Sequence, residues 1–429
     1  MNKAILPKVA KPVRYEVKLD IDLSNFKYTG SQDVELEIIK ETKSFEVNAI
    51  DIEIISALLF NEDEKEFDLT FEYLRDLERI SFTASENIPV GKYSLQLEFN
   101  STITNDLKGF YKSQFLDLND NEKWIATTQF EPTSARNAFP CWDEPEYKAV
   151  FSISLTSDEK YLRVSNEKVL RENKLEDGRV ETLFVDSMKM STYLVAFVIG
   201  ELEVTEVGSI GDTQIRIIHR PGFSHQTSFA GTAGMKILEF FENYYQIPYP
   251  GSKLDLIAIP DFAMGAMENV GAVTFRESLL LIDESKATRQ ELSRSVSVIA
   301  HELAHMWFGD LVTMKWWDGI WLNEAFASLM EAIAANGTYP EFDQWSEMNL
   351  SRSAGFGVDS LKNSRPVEFE VETPEQAEEM FDVLTYEKGS TVLRMFEMFV
   401  GEEVFQEGVQ QYLNTVSYTH LTLPTNREV

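Results

Sequence analysis

Val298 to Leu329 reads VIAHELAHMWFGDLVTMKWWDGIWLNEAFASL and holds His301, Glu302 and His305, then Glu324 after eighteen intervening residues. Four residues make little more than one helical turn, so the two imidazoles point the same way and can reach one metal ion. Glu302 follows the first histidine directly and can project towards a water activated by that metal. Glu324, on a neighbouring helix, supplies a third ligand through oxygen. Three protein ligands with an open fourth position is the pattern of a catalytic zinc, whereas a structural zinc is closed by four. At ordinary frequencies the H-E-x-x-H spacing arises by accident in roughly one chain of this length in a hundred, and a Glu at the right later offset lowers that further. The reading is therefore one Zn2+ per chain on His301, His305 and Glu324.

Working outward, the chain has 429 residues, too many for one ordinary core, so more than one domain is expected. Hydrophobic residues make up 43% and charged residues 26%, a globular balance. A net charge of -32 leaves no basic surface for nucleic acid or anionic lipid. The same acidity favours a cationic substrate group such as a peptide amino terminus. The single cysteine, Cys141, gives no internal disulfide and suits a reducing compartment. The first residues hold no apolar run long enough for a signal peptide or anchor, so the expectation is cytoplasmic, with a monomer favoured.

Before residue 200 the period is two. Tyr15–Ile21 (YEVKLDI), Val34–Ile39 (VELEII) and Tyr93–Phe99 (YSLQLEF) alternate apolar and polar residues, as strands with one buried face do. Val150–Leu155 and Tyr193–Ile199 continue the series, predicting an all-β sandwich or saddle over 1–202. One segment breaks it: Thr128–Ala149 carries three prolines and many polar side chains. Its composition alone favours a surface crossing in which Arg136 and Asp143 pair.

After residue 200 the period lengthens. Helices are predicted over 227–246, 289–308, 322–335 and 374–399, the last carrying Tyr386. Leu254–Ile259, Ala272–Phe275 and Leu279–Ile282 read as a small sheet, with the glycine-bearing stretch Gly265-Ala-Met-Glu-Asn-Val-Gly between its strands. A small sheet followed by zinc-bearing helices is a thermolysin-like α+β layout, placed at 203–416.

These motifs together resemble the aminopeptidase N-like family of gluzincin zinc metallopeptidases, with its puromycin-sensitive and tricorn-interacting branches. The resemblance rests on LPKVAKPVRYEV, TQFEPTSARNAFPCWDEPEYKA, GAMEN, HELAH with WLNEAFA, and YEKGSTVLRM, and runs from Leu6 to about Val416. It implies hydrolysis of the N-terminal peptide bond of peptides with a free amine, with Glu302 as general base and Tyr386 as transition-state stabiliser. It also implies that Glu131 and Glu268 hold the substrate amine, at a site where the two domains meet. Gln129, Met264, Gly265, Ala266, Met267 and Asn269 would line the peptide. Alternatives on the same fold are a non-catalytic scaffold and an epoxide hydrolase of the leukotriene type. The scaffold would lose zinc ligands, and all are present here.

Two departures stand out. The family places an acid where Gly319 stands, leaving Asp318 as the candidate to support the ligands. Family members also continue into further domains that roof the site. Residues 417–429 (SYTHLTLPTNREV) have no helical period, so a truncated chain with a foreign tail is expected, and His420 is given no role.

Overall fold

The computed structural model describes residues 5–416 and 420–421. The chain divides into two compact units, Met1–Glu203 and Val204–Val429.

Among its described residues the first unit is built from strands, with only short 3-10 turns between them. Ala10–Asp22 lies at the middle of an eight-stranded sheet, antiparallel to Lys27–Ile38 and parallel to Val150–Asp158, with Arg14 opposite Val150. Its alternation is the cause of its placement. Tyr15, Val17, Leu19 and Ile21 are buried while Lys18 stays exposed, each large apolar side chain contributing about 1.5–3 kcal/mol. Tyr15 stacks on Phe151 across the parallel pair at 4.9 Å between ring centres. Sheets of four and three strands complete the unit. The expected all-β character holds. The Thr128–Ala149 crossing does not lie on the surface: Arg136 pairs with Asp143 as expected, at 2.9 Å, but both are buried. A guanidinium that also reaches Glu78 at 2.8 Å has enough partners to be taken inside.

The second unit opens with a sheet in the order Glu203–Ile210, Thr213–His219, Lys253–Ile259, Ala272–Arg276, Ala266–Met267. The first two of these strands were not foreseen. Lys253–Ile259 is buried at every position, as a parallel strand covered on both faces must be. Helix α1 (Ser228–Tyr245) makes the crossover, burying Phe229, Ala233, Ile237, Phe241 and Tyr245 on one face, and ends at Gln246 in the left-handed conformation. The expected strand at Leu279–Ile282 is instead a turn. Glu277 opens a 3-10 segment through Leu279, with Leu280 and Leu281 N–H groups donating to its carbonyl.

Helices α2 (Arg289–His305) and α3 (Ile320–Thr338) pack on that core. Thr288 and Glu291 cap α2 reciprocally, satisfying two backbone donors at its start. Two further helices, α4 (Gln344–Asp359) and, at the far end, α7 (Glu402–Val416), were not foreseen. The single helix predicted over 374–399 is three pieces: α5 (Pro374–Glu379), a π turn (Leu384–Lys388) and α6 (Gly389–Val400). The break has a cause, because the Asp382 carboxylate accepts the N–H groups of Leu384 and Thr385 and so restarts the helix. Of the tail, His420–Leu421 runs parallel to Thr313–Met314. The remainder of 417–429, on which the foreign-tail reading bears, lies outside the described residues.

Candidate metal centre and active site

Helix α2 carries His301 and His305 on the face that meets α3. His301 Nε2 lies 3.2 Å from Glu324 Oε2, His305 Nε2 lies 3.3 Å from the same oxygen, and the two Nε2 atoms are 3.1 Å apart. Tetrahedral coordination with bonds of about 2.0–2.1 Å separates ligand atoms by about 3.3–3.4 Å. The near-equilateral triangle therefore fits zinc, and its nitrogen and oxygen donors are those zinc takes. Electrostatics agree. Burial opposes a charge on His301, but the Glu324 and Glu331 carboxylates outweigh it and push its pKa well up. Burial likewise opposes ionisation of Glu324, and His305 and His301 outweigh it, pulling that carboxyl down. The pocket thus demands positive charge, which a divalent cation supplies while displacing the protons.

Each histidine is oriented from behind. His305 Nδ1 lies 2.9 Å from the carbonyl of Phe308, so Nδ1 carries the proton and Nε2 faces the metal position. The chain can turn there because position 309 is glycine. Its φ is +140°, and a Cβ would stand 3.0 Å from His305 Nδ1. His301 Nδ1 lies 3.1 Å from Glu331 Oε2, and Ser297 donates to the other oxygen of Glu331. Glu331 is seven residues after Glu324, two turns along the same helix face. Asp318, expected to support the ligands, is not among the described residues that pair with His301 or His305, and the Gly319 N–H donates to Trp316 O at 3.0 Å. Replacing Glu331 with Ala is expected to weaken zinc binding about 10–100-fold, read by competition with a chelator. Unchanged affinity would remove Glu331 from the site.

Three further groups surround the triangle. Glu302 is 5% exposed, and burial holds its carboxyl well above the usual range, with His301 and His305 opposing and Glu268 and Glu324 reinforcing. Tyr386 sits in the π turn, its ring 5.9 Å from that of His301 and tilted by only 26°. Gly389, closing that turn, could not be larger, since a Cβ would stand 2.6 Å from the Cβ of Ala325 on α3. Glu268 is 3% exposed. Its Oε1 lies 3.8 Å from His305 Nδ1 and has no hydrogen-bond partner among the described residues.

The strap bearing Glu268 is tied at both ends. Arg276 donates to the carbonyls of Phe262 and Ala263, at 3.2 and 2.7 Å, and its N–H meets Gly265 O at 2.9 Å. At the other end Gly271 N–H donates to the Tyr249 hydroxyl at 3.0 Å, and Lys253 Nζ donates to Gly271 O at 2.5 Å. Between these ties Met267 and Asn269 are buried, whereas Met264 is exposed and Gly265 and Ala266 are half-buried.

The match to known families agrees with this chemistry. The family model described as the Peptidase M1 N-terminal domain matches residues 11–194, and that described as the Peptidase family M1 domain matches 229–424. The chain belongs to peptidase family M1.

Among curated relatives, this M1 chain is 38% identical to Aminopeptidase M1-A of Oryza sativa subsp. japonica over 424 residues, covering 98% of the chain and 48% of that protein. It is 40% identical to Endoplasmic reticulum aminopeptidase 2 of Homo sapiens, covering 96% of the chain and 44% of that protein. Identity to Puromycin-sensitive aminopeptidase of Caenorhabditis elegans is 38%, covering 97% and 44%. The chain spans about half the length of the curated relatives it matches. Membership of family M1 implies zinc in general terms. Among the described residues no helix is long and apolar enough to cross a membrane.

The remaining expected site residues of the M1 chain belong to the N-terminal unit. Gln129 ends the strand Glu122–Gln129 and is buried. Glu131 is partly buried and precedes a cis peptide bond to Pro132. Glu331, Ser297, Tyr249 and Lys253 were missed by sequence reasoning. For Glu331 a signal existed, an acid two turns beyond a ligand on one helix, whereas the others act through contacts that no local pattern encodes.

Proposed function

We propose that this chain carries the catalytic machinery of a zinc-dependent aminopeptidase, which removes residues singly from peptides bearing a free terminal amine. One observation carries the reading: a buried Glu268 carboxylate oxygen without a hydrogen-bond partner among the described residues, 3.8 Å from His305 of the ligand triangle. A buried carboxylate oxygen short of hydrogen bonds is costly, and an ammonium group donating charge-assisted hydrogen bonds is the complement that relieves it. A carboxylate so placed measures one residue from the amino terminus to the reacting bond, a distance an endopeptidase has no reason to fix. The resemblance assigns Glu131 the same duty, with Gln129 and residues 264–269 lining the substrate. The net charge of -32 draws cationic amino termini towards the protein.

Held by His301, His305 and Glu324, zinc would supply Lewis acidity, polarising the scissile carbonyl and lowering the pKa of a water towards about 7. Glu302 takes the proton of the attacking water and returns it to the departing amine. Buried and outside the ligand set, its carboxylate can take a proton and give it back without leaving the metal's side. The Tyr386 phenol donates to the oxygen on which charge develops. The lone Cys141, buried, fits a reducing compartment, and we assign the cytoplasm.

The test compares a chromogenic aminoacyl amide with its N-acetylated form. The free amine should be cleaved at least about 10–100-fold faster, the worth of a hydrogen bond to a charged group, and Glu268→Gln should narrow the ratio. Equal turnover of both substrates would overturn the assignment.

A further inference from the structure

The π turn Leu384–Lys388 needs an explanation of its own. Such turns are rare, occur mostly singly within α-helices and are frequent at functional sites, so what holds this one in place bears on the site. Here the surroundings converge on Arg365, from the stretch between α4 and α5. Its Nη2 donates to Asp382 Oδ1 at 2.6 Å, to the Thr385 hydroxyl at 2.9 Å and to Met380 O at 3.3 Å. The same Asp382 oxygen accepts Leu384 and Thr385 N–H at 2.9 and 3.0 Å, which fixes where the turn begins. The Tyr386 N–H reaches back to Asp382 O at 3.2 Å. At the turn's end Lys388 Nζ donates to Arg365 O at 3.2 Å and to Asp359 Oδ1 at 2.7 Å. One residue thus holds the start of the turn with its side chain and the end with its carbonyl.

Facing matters because successive helical residues differ by about 100° around the axis. Relaxation of this turn to α geometry would carry Tyr386 away from the face it shares with His301. We propose that Arg365 and Asp382 are positioning residues that hold the Leu384–Lys388 turn so that the Tyr386 phenol faces the reacting centre. The proposal rests on the transition-state role given to Tyr386. Arg365 suits this work better than lysine would, because its second terminal nitrogen, Nη1, donates to Pro366 O at 3.1 Å and so fixes the fork to its own stretch while Nη2 meets the turn.

The experiment is a double-mutant cycle in the zinc-loaded chain, with kcat and KM measured on an aminoacyl chromogenic substrate. Binding of a phosphinic dipeptide, a mimic of the tetrahedral state, is followed in parallel by calorimetry. Arg365→Ala should lower kcat and affinity for the mimic about 10–100-fold, the cost of a misplaced group, with KM within about twofold. In a Tyr386→Phe background the same change should cost nothing more. Asp382→Asn keeps an oxygen to cap the turn and should retain most activity, while Asp382→Ala should match Arg365→Ala. An equal loss from Arg365→Ala in both backgrounds, or no loss in either, overturns the clamp. If Tyr386→Phe alone changes nothing, the role of Tyr386 falls first and takes the clamp with it.

Discussion

Glu302→Gln should lower kcat by about 10²–10⁴-fold while zinc content and unfolding temperature stay at their wild-type values. Glutamine keeps the shape of the side chain and loses only the ability to take a proton. Glu302 is buried, lies one residue from His301 and is absent from the ligand triangle of His301, His305 and Glu324, so its replacement leaves the metal's holders in place. The neutral amide also relieves a charge that burial disfavours, as the raised carboxyl pKa shows, and the fold should not suffer. The check pairs metal analysis with turnover of a free aminoacyl substrate. Turnover retained at wild-type level would refute the general-base role, and loss of zinc would show that Glu302 is a ligand.

The largest effect on stability is expected at Asp255. It lies on the central strand, fully buried, between Lys253 Nζ at 2.7 Å and the Arg216 guanidinium, whose Nε and Nη2 each stand 2.7 Å from one carboxylate oxygen. Lys253 is itself only 2% exposed, with Gly271 O as a further acceptor. Asp255→Ala takes from that interior ammonium the carboxylate 2.7 Å away. Breaking a buried pair from one side costs about 3–5 kcal/mol. For a unit of this size that corresponds to a fall in Tm of about 6–20 °C, measurable by calorimetry. Lys253→Met should cost less, because Asp255 keeps Arg216. A loss under about 1 kcal/mol for Asp255→Ala would mean that Lys253 finds water or gives up its proton, against the burial described.

The convergence of His301 and His305 was legible because helical spacing is a local property: the two share a face whatever surrounds them. The first unit was legible for the same reason, since a period of two survives any arrangement of strands. Leu279–Ile282 misled because a short apolar run buries equally well as strand or turn, and Glu277 decided the matter. The Pro374–Phe399 reading failed at Asp382, whose effect depends on Arg365 folding back from seventeen positions away. Lys253 was invisible because its partner Gly271 is brought to it only by packing, whereas Glu331, two turns beyond Glu324 on one helix, left a signal in its spacing.

The ligand triangle also differs from the sheets in how far apart in the chain its parts lie. His301 and Glu324 are separated by 23 positions, whereas Arg14 and Val150, side by side in the first unit, are separated by 136. The entropy lost on closing a loop grows with the logarithm of its length, so joining the two ligand helices costs about 1.6 kcal/mol less than joining those strands. In chain-entropy terms the metal centre is a neighbourhood structure set beside a long-range one.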